Sequence, residues 1–188
     1  MQRLFLSLTN PDELASSCYS SEYGREICSG REFWEEKFNR EGLPLLEEGN
    51  DPQTWLEIYR KSQKVARKTE KRMQSPRVSI FLVDVTDPDM LLPLSRSAFI
   101  LPFWKNRHGH GYRLDFNPSY TDGVYSYVLV ELPRQKADYA GRLIIKSERL
   151  EPILKGTVGA MDLWNIIYQE IYNEKPLLDR LNDYILSL

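Results

Sequence analysis

Apolar residues in the first part of the chain recur at the spacing of an α-helix. Trp34 and Phe38 are four positions apart, which places both rings on one helical face. The charged residues between them, Glu35, Glu36 and Lys37, are then expected to point mostly towards solvent. This pattern predicts a small helical unit built around aromatic side chains.

Polar residues mark where the short helices of this unit begin. Asn10 followed by Pro11 is typical of a helix start. Ser20 or Ser21 can cap a second helix, and Ser29 can cap a third. The first part of the chain is therefore predicted to fold as two or three short helices.

A long helix is predicted next. Asp51 can cap it, Pro52 suits its first position, and Pro76 ends it. One face of this helix is expected to point inwards. The inward residues are Trp55, Ile58, Tyr59, Ser62, Val65 or Ala66, Thr69 and Met73.

The opposite face of the long helix is basic. Its positive residues are Arg60, Lys61, Lys64, Arg67, Lys68, Lys71 and Arg72. A row of cations can track a phosphate backbone, although such a row is more often a solvated face paired with nearby acidic residues. The candidate nucleic-acid contacts are Arg60, Lys64, Arg67, Lys68 and Lys71.

The pattern changes near Gln74, where we place a domain boundary. Residues 78–85 are β-branched or apolar at nearly every position, which predicts a strand buried on both faces. Asp122 and Gly123 are typical of a turn between two strands. The further predicted strands are 112–116, 124–132 and 141–146. Residues 98–103 are predicted to be a short strand, at an edge or replaced by a loop because of Pro93 and Pro102.

Helical spacing returns at the end of the chain, over residues 158–172 and 176–188. Strands followed by helices predict an α+β fold, an antiparallel sheet covered by C-terminal helices. We divide the chain into a helical segment (1–50), a connecting helix (51–74) and an α+β domain (75–188). The inward residues expected of the first terminal helix are Met161, Trp164, Ile167, Tyr168 and Ile171.

Composition narrows the class of protein. Hydrophobic residues make up 41% of the 188 positions, which is ample for a packed core, and the net charge of −2 gives no general attraction to nucleic acid or anionic membranes. The apolar run at 4–8 is too short for a signal segment, and no run approaches the length of a membrane span. With only Cys18 and Cys28, we expect a reducing, intracellular compartment and two free, buried thiols.

Residues that could carry catalysis are sparse. His108 and His110 could hold a metal with Asp115, but two histidines without a clear third ligand are more typical of a surface loop. Acidic residues at the end of the predicted strand 78–85 are more typical of turns and caps than of a magnesium site. These residues are Asp84, Asp87 and Asp89. We therefore expect no enzymatic activity, no metal and no cofactor.

One stretch resembles a known family. It resembles the end of an F-box-like domain, in the form common among large DNA viruses of amoebae. The residues that carry this resemblance are Cys18, Ser20, Ser21, Ile27, Cys28, Phe33, Trp34 and Phe38. Trp55 and Tyr59 also resemble the Trp-x-x-x-Tyr helix that often follows in those viral proteins. Since little chain precedes Asp12, we expect only a shortened first helix.

The resemblance implies an adaptor in a host cell, in the cytoplasm or the nucleus. F-box domains bind the small Skp-type linker of cullin-RING ubiquitin ligases through their helical face, and a second domain recruits a target protein. The implied partners are therefore a Skp-type linker and an unknown recruited protein. The residues expected to form or support the linker-facing helices are Leu14, Ile27, Phe33, Trp34 and Phe38. The alternative is a nucleic-acid-binding or virus–host interaction protein that uses the basic helix 60–72.

Overall fold

The structure is a computed structural model. It describes residues 2–106, 111–119, 122–132, 136–137, 143–144 and 150–174. The chain divides into two compact units, Met1–Lys68 and Thr69–Leu188. The described residues form helices before and after an antiparallel sheet, so the predicted α+β class is confirmed.

The first unit begins with four short helices: α1 (Gln2–Ser7), α2 (Pro11–Tyr19), α3 (Glu22–Ser29) and α4 (Arg31–Arg40). The Asn10 side chain accepts a hydrogen bond from the backbone of Asp12, and Ser21 caps α3 in the same way through Gly24. These two predicted caps are confirmed. The third is wrong, because Gly30 occupies the N-cap of α4 and the Ser29 hydroxyl donates instead to the Arg25 carbonyl.

The long helix α5 spans Pro52–Met73. As predicted, Asp51 accepts a hydrogen bond from the backbone of Thr54, at 2.8 Å. Burial of Ser62 and Thr69 beside the apolar residues shows that the predicted inward face follows the helical period.

The second unit contains an antiparallel sheet of four strands among the described residues, in the order β1–β2–β3–β6. These strands are β1 (Val78–Phe81), β2 (Tyr112–Pro118), β3 (Val124–Glu131) and β6 (Pro152–Gly159). Gly123 has a φ of +73° in the turn before β3, which explains the turn signal there. A separate strand pair joins β4 (Lys136–Ala137) to β5 (Leu143–Ile144). Strand β5 lies inside the predicted strand 141–146, whereas β4 was not predicted.

Helices cover one face of the four-stranded sheet. They are α6 (Ser97–Lys105) and α7 (Ala160–Tyr172). Ile80, Leu114 and Leu129 lie opposite one another in neighbouring strands and are fully buried against these helices and the loops beside them. The predicted helix 176–188 lies outside the described residues.

Several predictions for the second unit are wrong, and one further strand was not predicted. Residues 78–85 do not continue as a strand, because the chain turns into a 3₁₀ helix at Leu82–Asp84. Strand β6 was not predicted, because the apolar and polar residues of Pro152–Gly159 do not alternate clearly. Met161 does not point inwards: it is 72% exposed at the start of α7, whereas Leu163 and Ile166 are buried.

The predicted strand 98–103 is the helix α6. Its buried Ile100 and half-buried Phe103 and Trp104 are three and four positions apart, which is helical spacing, and they face the core. The Trp104 indole donates to the Val85 carbonyl at 2.8 Å. Packing therefore outweighs the cost of Pro102, which removes a hydrogen bond from the helix.

The difference between strand and helix at α6 can be measured with two alanine variants. In a strand, Ile100 and Phe103 would point to opposite faces, whereas in α6 both face the core: Ile100 is fully buried and Phe103 packs edge-on against Tyr112. The Phe99 side chain, by contrast, is 65% exposed. We expect Phe103→Ala to lower the free energy of unfolding by about 2–3 kcal/mol. The control Phe99→Ala is expected to change it by less than about 0.5 kcal/mol. Equal losses in urea denaturation would contradict the helical packing.

Candidate partner-binding site

The cysteines at the centre of the predicted site form a disulfide. Cys18 on α2 and Cys28 on α3 are joined, with their Cα atoms 5.7 Å apart, so the prediction of two free thiols is wrong. Both are fully buried as expected. Sequence spacing could not reveal the bond, because it depends on how closely α2 and α3 pack.

That close packing requires Gly24. A Cβ atom at this position would lie 2.6 Å from the Ser17 carbonyl oxygen, a backbone atom that cannot move away cheaply. The lack of a side chain lets α3 pass directly against α2. Glycine at this position therefore brings together the two helices that carry the cysteines.

Trp34 lies at the centre of the core of the first unit. Its ring stacks on Trp55, with centroids 5.7 Å apart and planes 10° from parallel. Its indole N–H donates to the Cys28 carbonyl at 2.8 Å, so the one polar atom of this buried ring is satisfied. Phe33 and Tyr59 also contact the indole ring. The two halves of the family resemblance, around Trp34 and around Trp55, thus form one core.

The predicted partner-binding residues belong to this core. Leu14, Phe33, Trp34 and Phe38 are buried, and Ile27 is partly buried against the same cluster. They can hold the helices in place, but the four buried ones present almost no surface to a partner. Their part in partner binding stays a prediction and would act through the positions of the helices.

Exposed apolar side chains lie on the same helices. Leu4 on α1, Tyr19 on α2 and Tyr23 on α3 are 62%, 47% and 48% exposed. They were not among the residues predicted to bind a partner. Tyr19 and Tyr23 are each next to a buried residue and so lie outside the buried stripe. These three side chains are accessible to a protein partner.

Lys37 contradicts the expectation that it faces solvent. It is completely buried, and its ammonium donates to the Leu6 and Leu8 carbonyls at 3.1 and 2.5 Å and pairs with Glu41 at 2.5 Å. All three donors of the ammonium are thus used. Because the accepting carbonyls belong to the end of α1 and the following loop, Lys37 ties that segment to α4.

Glu41 extends this cluster to α5. Its carboxylate accepts from the Tyr59 hydroxyl at 2.7 Å and from the Gln63 amide at 3.3 Å. Gln63 also donates to the Thr9 carbonyl at 2.8 Å. Burial raises the pKa of Tyr59 far above its usual value, and the adjacent Glu41 carboxylate raises it further, so the hydroxyl stays a donor.

The basic residues of α5 do not all have the same environment. Arg60 pairs with Asp12 at 2.8 Å and Lys61 with Glu47 at 2.6 Å, which weakens the positive field of the first turns. Exposed cations continue along the helix without an ion pair among the described residues. They are Lys64, Arg67, Lys68 and Lys71.

The candidate metal ligands do not form a site in the part of the chain that the structure describes. Asp87 caps a 3₁₀ helix, Pro88–Leu91, by accepting from the backbone of Asp89 at 2.9 Å, as predicted for a cap. Across the described ranges, no three His, Cys, Asp or Glu side chains come together as a possible metal site. His108 and His110 lie outside these ranges.

The burial of Lys37 can be tested by removing its charge. We expect Lys37→Met to lower the free energy of unfolding of the first unit by about 3 kcal/mol, because Glu41 and two backbone carbonyls lose their buried partner. Lys61→Met is the matched control, since its ion pair is exposed and should contribute under about 1 kcal/mol. Similar losses for both variants in urea denaturation would show that Lys37 is not buried as described.

Comparison with known proteins assigns this chain to no family. No family model matches the sequence, and neither the curated proteins nor the solved structures include a significant match. Among the helices in the described ranges, none has both the length and the apolar character of a membrane span. The candidate site therefore rests on its own residues: an aromatic core, a buried Lys37–Glu41 pair and exposed apolar side chains.

Proposed function

We propose that this chain is an F-box-like adaptor, which binds a Skp-type linker through its first unit and recruits a target protein through its second. The observation that carries this proposal is the convergence of Cys18, Cys28, Trp34, Trp55 and Tyr59 in one core. These residues suggested the resemblance from two separate stretches. Their packing against one another supports reading the two stretches as one domain.

The surface of the first unit is suited to a protein partner. Aromatic residues that are partly exposed on a rigid helix can contribute strongly to binding, because little conformational entropy is lost when they are covered. Tyr19 and Tyr23 are such residues, and Leu4 adds a larger exposed apolar group. The buried aromatic core beneath them holds the helices in place before binding.

The Cys18–Cys28 disulfide is relevant to the cellular compartment in which such an adaptor could act. The cytosol keeps most thiols reduced, and the linker belongs to that compartment. An adaptor acting there would have to keep α2 and α3 together with Cys18 and Cys28 reduced. The stacked Trp34 and Trp55, and the hydrogen bond to the Cys28 carbonyl, provide contacts that do not depend on the sulfur bond.

Capture of a purified eukaryotic Skp-type linker by the full chain tests the proposal. We expect capture with and without reductant, and little loss between moderate and high salt, because apolar contacts are insensitive to screening. Tyr23→Ser should weaken binding about tenfold or more if this ring is an anchor. Leu46→Ser is the control, as it removes another exposed apolar group of the same unit. Absence of capture in both redox states would refute the adaptor function.

The exposed cations of α5 favour a second candidate, nucleic-acid binding. Lys64, Arg67, Lys68 and Lys71 repeat at intervals of one to three residues on the exposed side of the helix, so several could reach successive phosphates. This contact would be electrostatic and independent of base sequence. Its strong dependence on salt distinguishes it from the adaptor function.

Fluorescence anisotropy with a labelled DNA duplex tests this second candidate. If all four cations contact phosphates, the logarithm of the binding constant should fall with the logarithm of salt concentration with a slope of about −3.6. The double variant Lys64→Gln/Lys68→Gln should reduce the slope by about half. Arg31→Gln/Arg40→Gln removes the same charge from exposed positions on α4 and should leave it unchanged. No binding at low salt would exclude this function.

A further inference from the structure

The sheet of the second unit has a polar face opposite its apolar core. Ser79, Asp115, Val128 and Lys155 lie directly opposite one another across the four strands. Residues that are paired in this way project from the same side of a sheet. The neighbouring row, Ile80 to Leu129, projects from the other side into the core. The polar row therefore shares one surface.

Asp115 organises the positive groups on this surface. It is 1% exposed, and its Oδ1 accepts from the Ser79 hydroxyl at 2.6 Å. Its Oδ2 accepts from the guanidinium of Arg113 at 3.0 Å and from that of Arg77. A buried carboxylate thus holds two guanidinium groups side by side. Each guanidinium carries five N–H donors, and most of them have no partner among the described residues.

Asp115 is charged in this environment. Burial raises the pKa of Asp115, but the hydrogen bonds from Ser79, Arg77 and Arg113 outweigh burial and hold the pKa below its usual value. At neutral pH the carboxylate therefore stays ionised and keeps both guanidinium groups in position.

A cavity of about 450 Å³ opens on the same surface. Arg77, Arg113 and Lys155 line it together with Asp115, and Val128 and Val130 add apolar surface. Three cations face one carboxylate, so the described lining has a net positive charge. The volume falls within the range of pockets that bind small molecules.

Among the described residues, the ion pairs of Asp115 are with Arg77 and Arg113, and none is with Lys155. Asp115 and Lys155 are separated by β3, and since adjacent strands are about 4.8 Å apart, their backbones are roughly 9–10 Å apart. The space between Lys155 and the guanidinium pair lies over Val128. An anionic group placed there would have cations on two sides and an apolar floor.

We propose that this cavity binds a small organic anion, a carboxylate or a phosphate monoester with an apolar body. Arg113 and Arg77 would bind the anionic oxygens, since planar guanidinium groups match both carboxylate and phosphate. Lys155 would add a point charge from the opposite side. Val128 and Val130 would contact the apolar body of the ligand. This site is independent of the adaptor surface on the first unit.

Titration of the isotope-labelled full chain, followed by NMR, tests the proposal. The probes are phenyl phosphate and benzoate, with neutral benzyl alcohol as the uncharged control. We expect at least one anion to shift the amide resonances of Arg113, Val128 and Lys155 at millimolar concentrations or below. Benzyl alcohol should bind at least about tenfold more weakly, because it lacks the charge. Whichever anion binds more tightly identifies the preferred acid group.

Two variants test whether the anion binds in this cavity. Lys155→Gln should weaken anion binding about five- to tenfold, through the loss of one charge at contact distance. Its side chain is exposed on a strand, so the fold should be retained. Lys105→Gln, an exposed lysine on α6, removes the same charge elsewhere and should leave the affinity unchanged. No shifts with either anion, equal binding of benzyl alcohol, or equal loss in both variants would overturn the proposal.

Discussion

The first unit depends on one buried charge pair. Lys37 and Glu41 lie within an aromatic core, where an unpaired charge would be strongly destabilising. Each additional hydrogen bond of the pair therefore fixes a further segment in place: the end of α1, the loop before α2, and α5 through Tyr59 and Gln63. Apolar packing stabilises the contacts between these helices. The polar cluster favours the arrangement in which each of its buried polar groups has a hydrogen-bond partner.

The aromatic core positions the helices that carry the exposed apolar side chains. Trp34 stacks on Trp55 and bonds to the Cys28 carbonyl, which places α3 relative to α4 and α5. Tyr19 and Tyr23 are then left outside as exposed rings on positioned helices. A binding surface of this kind arises from the buried residues beneath it, even though those residues do not touch the partner.

In the second unit, one face of the sheet forms the core and the other face carries the candidate anion site. The face with Ile80 and Leu114 packs against helices and accounts for the core. The other face carries Asp115, whose two guanidinium partners line a cavity with it. Because neighbouring residues of a strand point to opposite faces, the same strands can hold a core and present cations without conflict.

Local features of this protein were determined by the sequence. Asn10, Ser21 and Asp51 were identified as caps because such hydrogen bonds join residues two or three positions apart. Helical spacing gave the inward face of α5, and the turn signal at Gly123 gave the pairing of β2 with β3. The α+β class followed from the order of these elements.

Only the tertiary structure decided the features that depend on distant segments. Residues 98–103 are helical because the core accepts Ile100, Phe103 and Trp104 on one side, which outweighs the local preference suggested by the prolines. Lys37 is buried because carbonyls some 30 residues away accept hydrogen bonds from its ammonium group. The disulfide, and the meeting of Arg77 with Asp115, likewise require chain segments to pack closely, and no local pattern encodes that proximity.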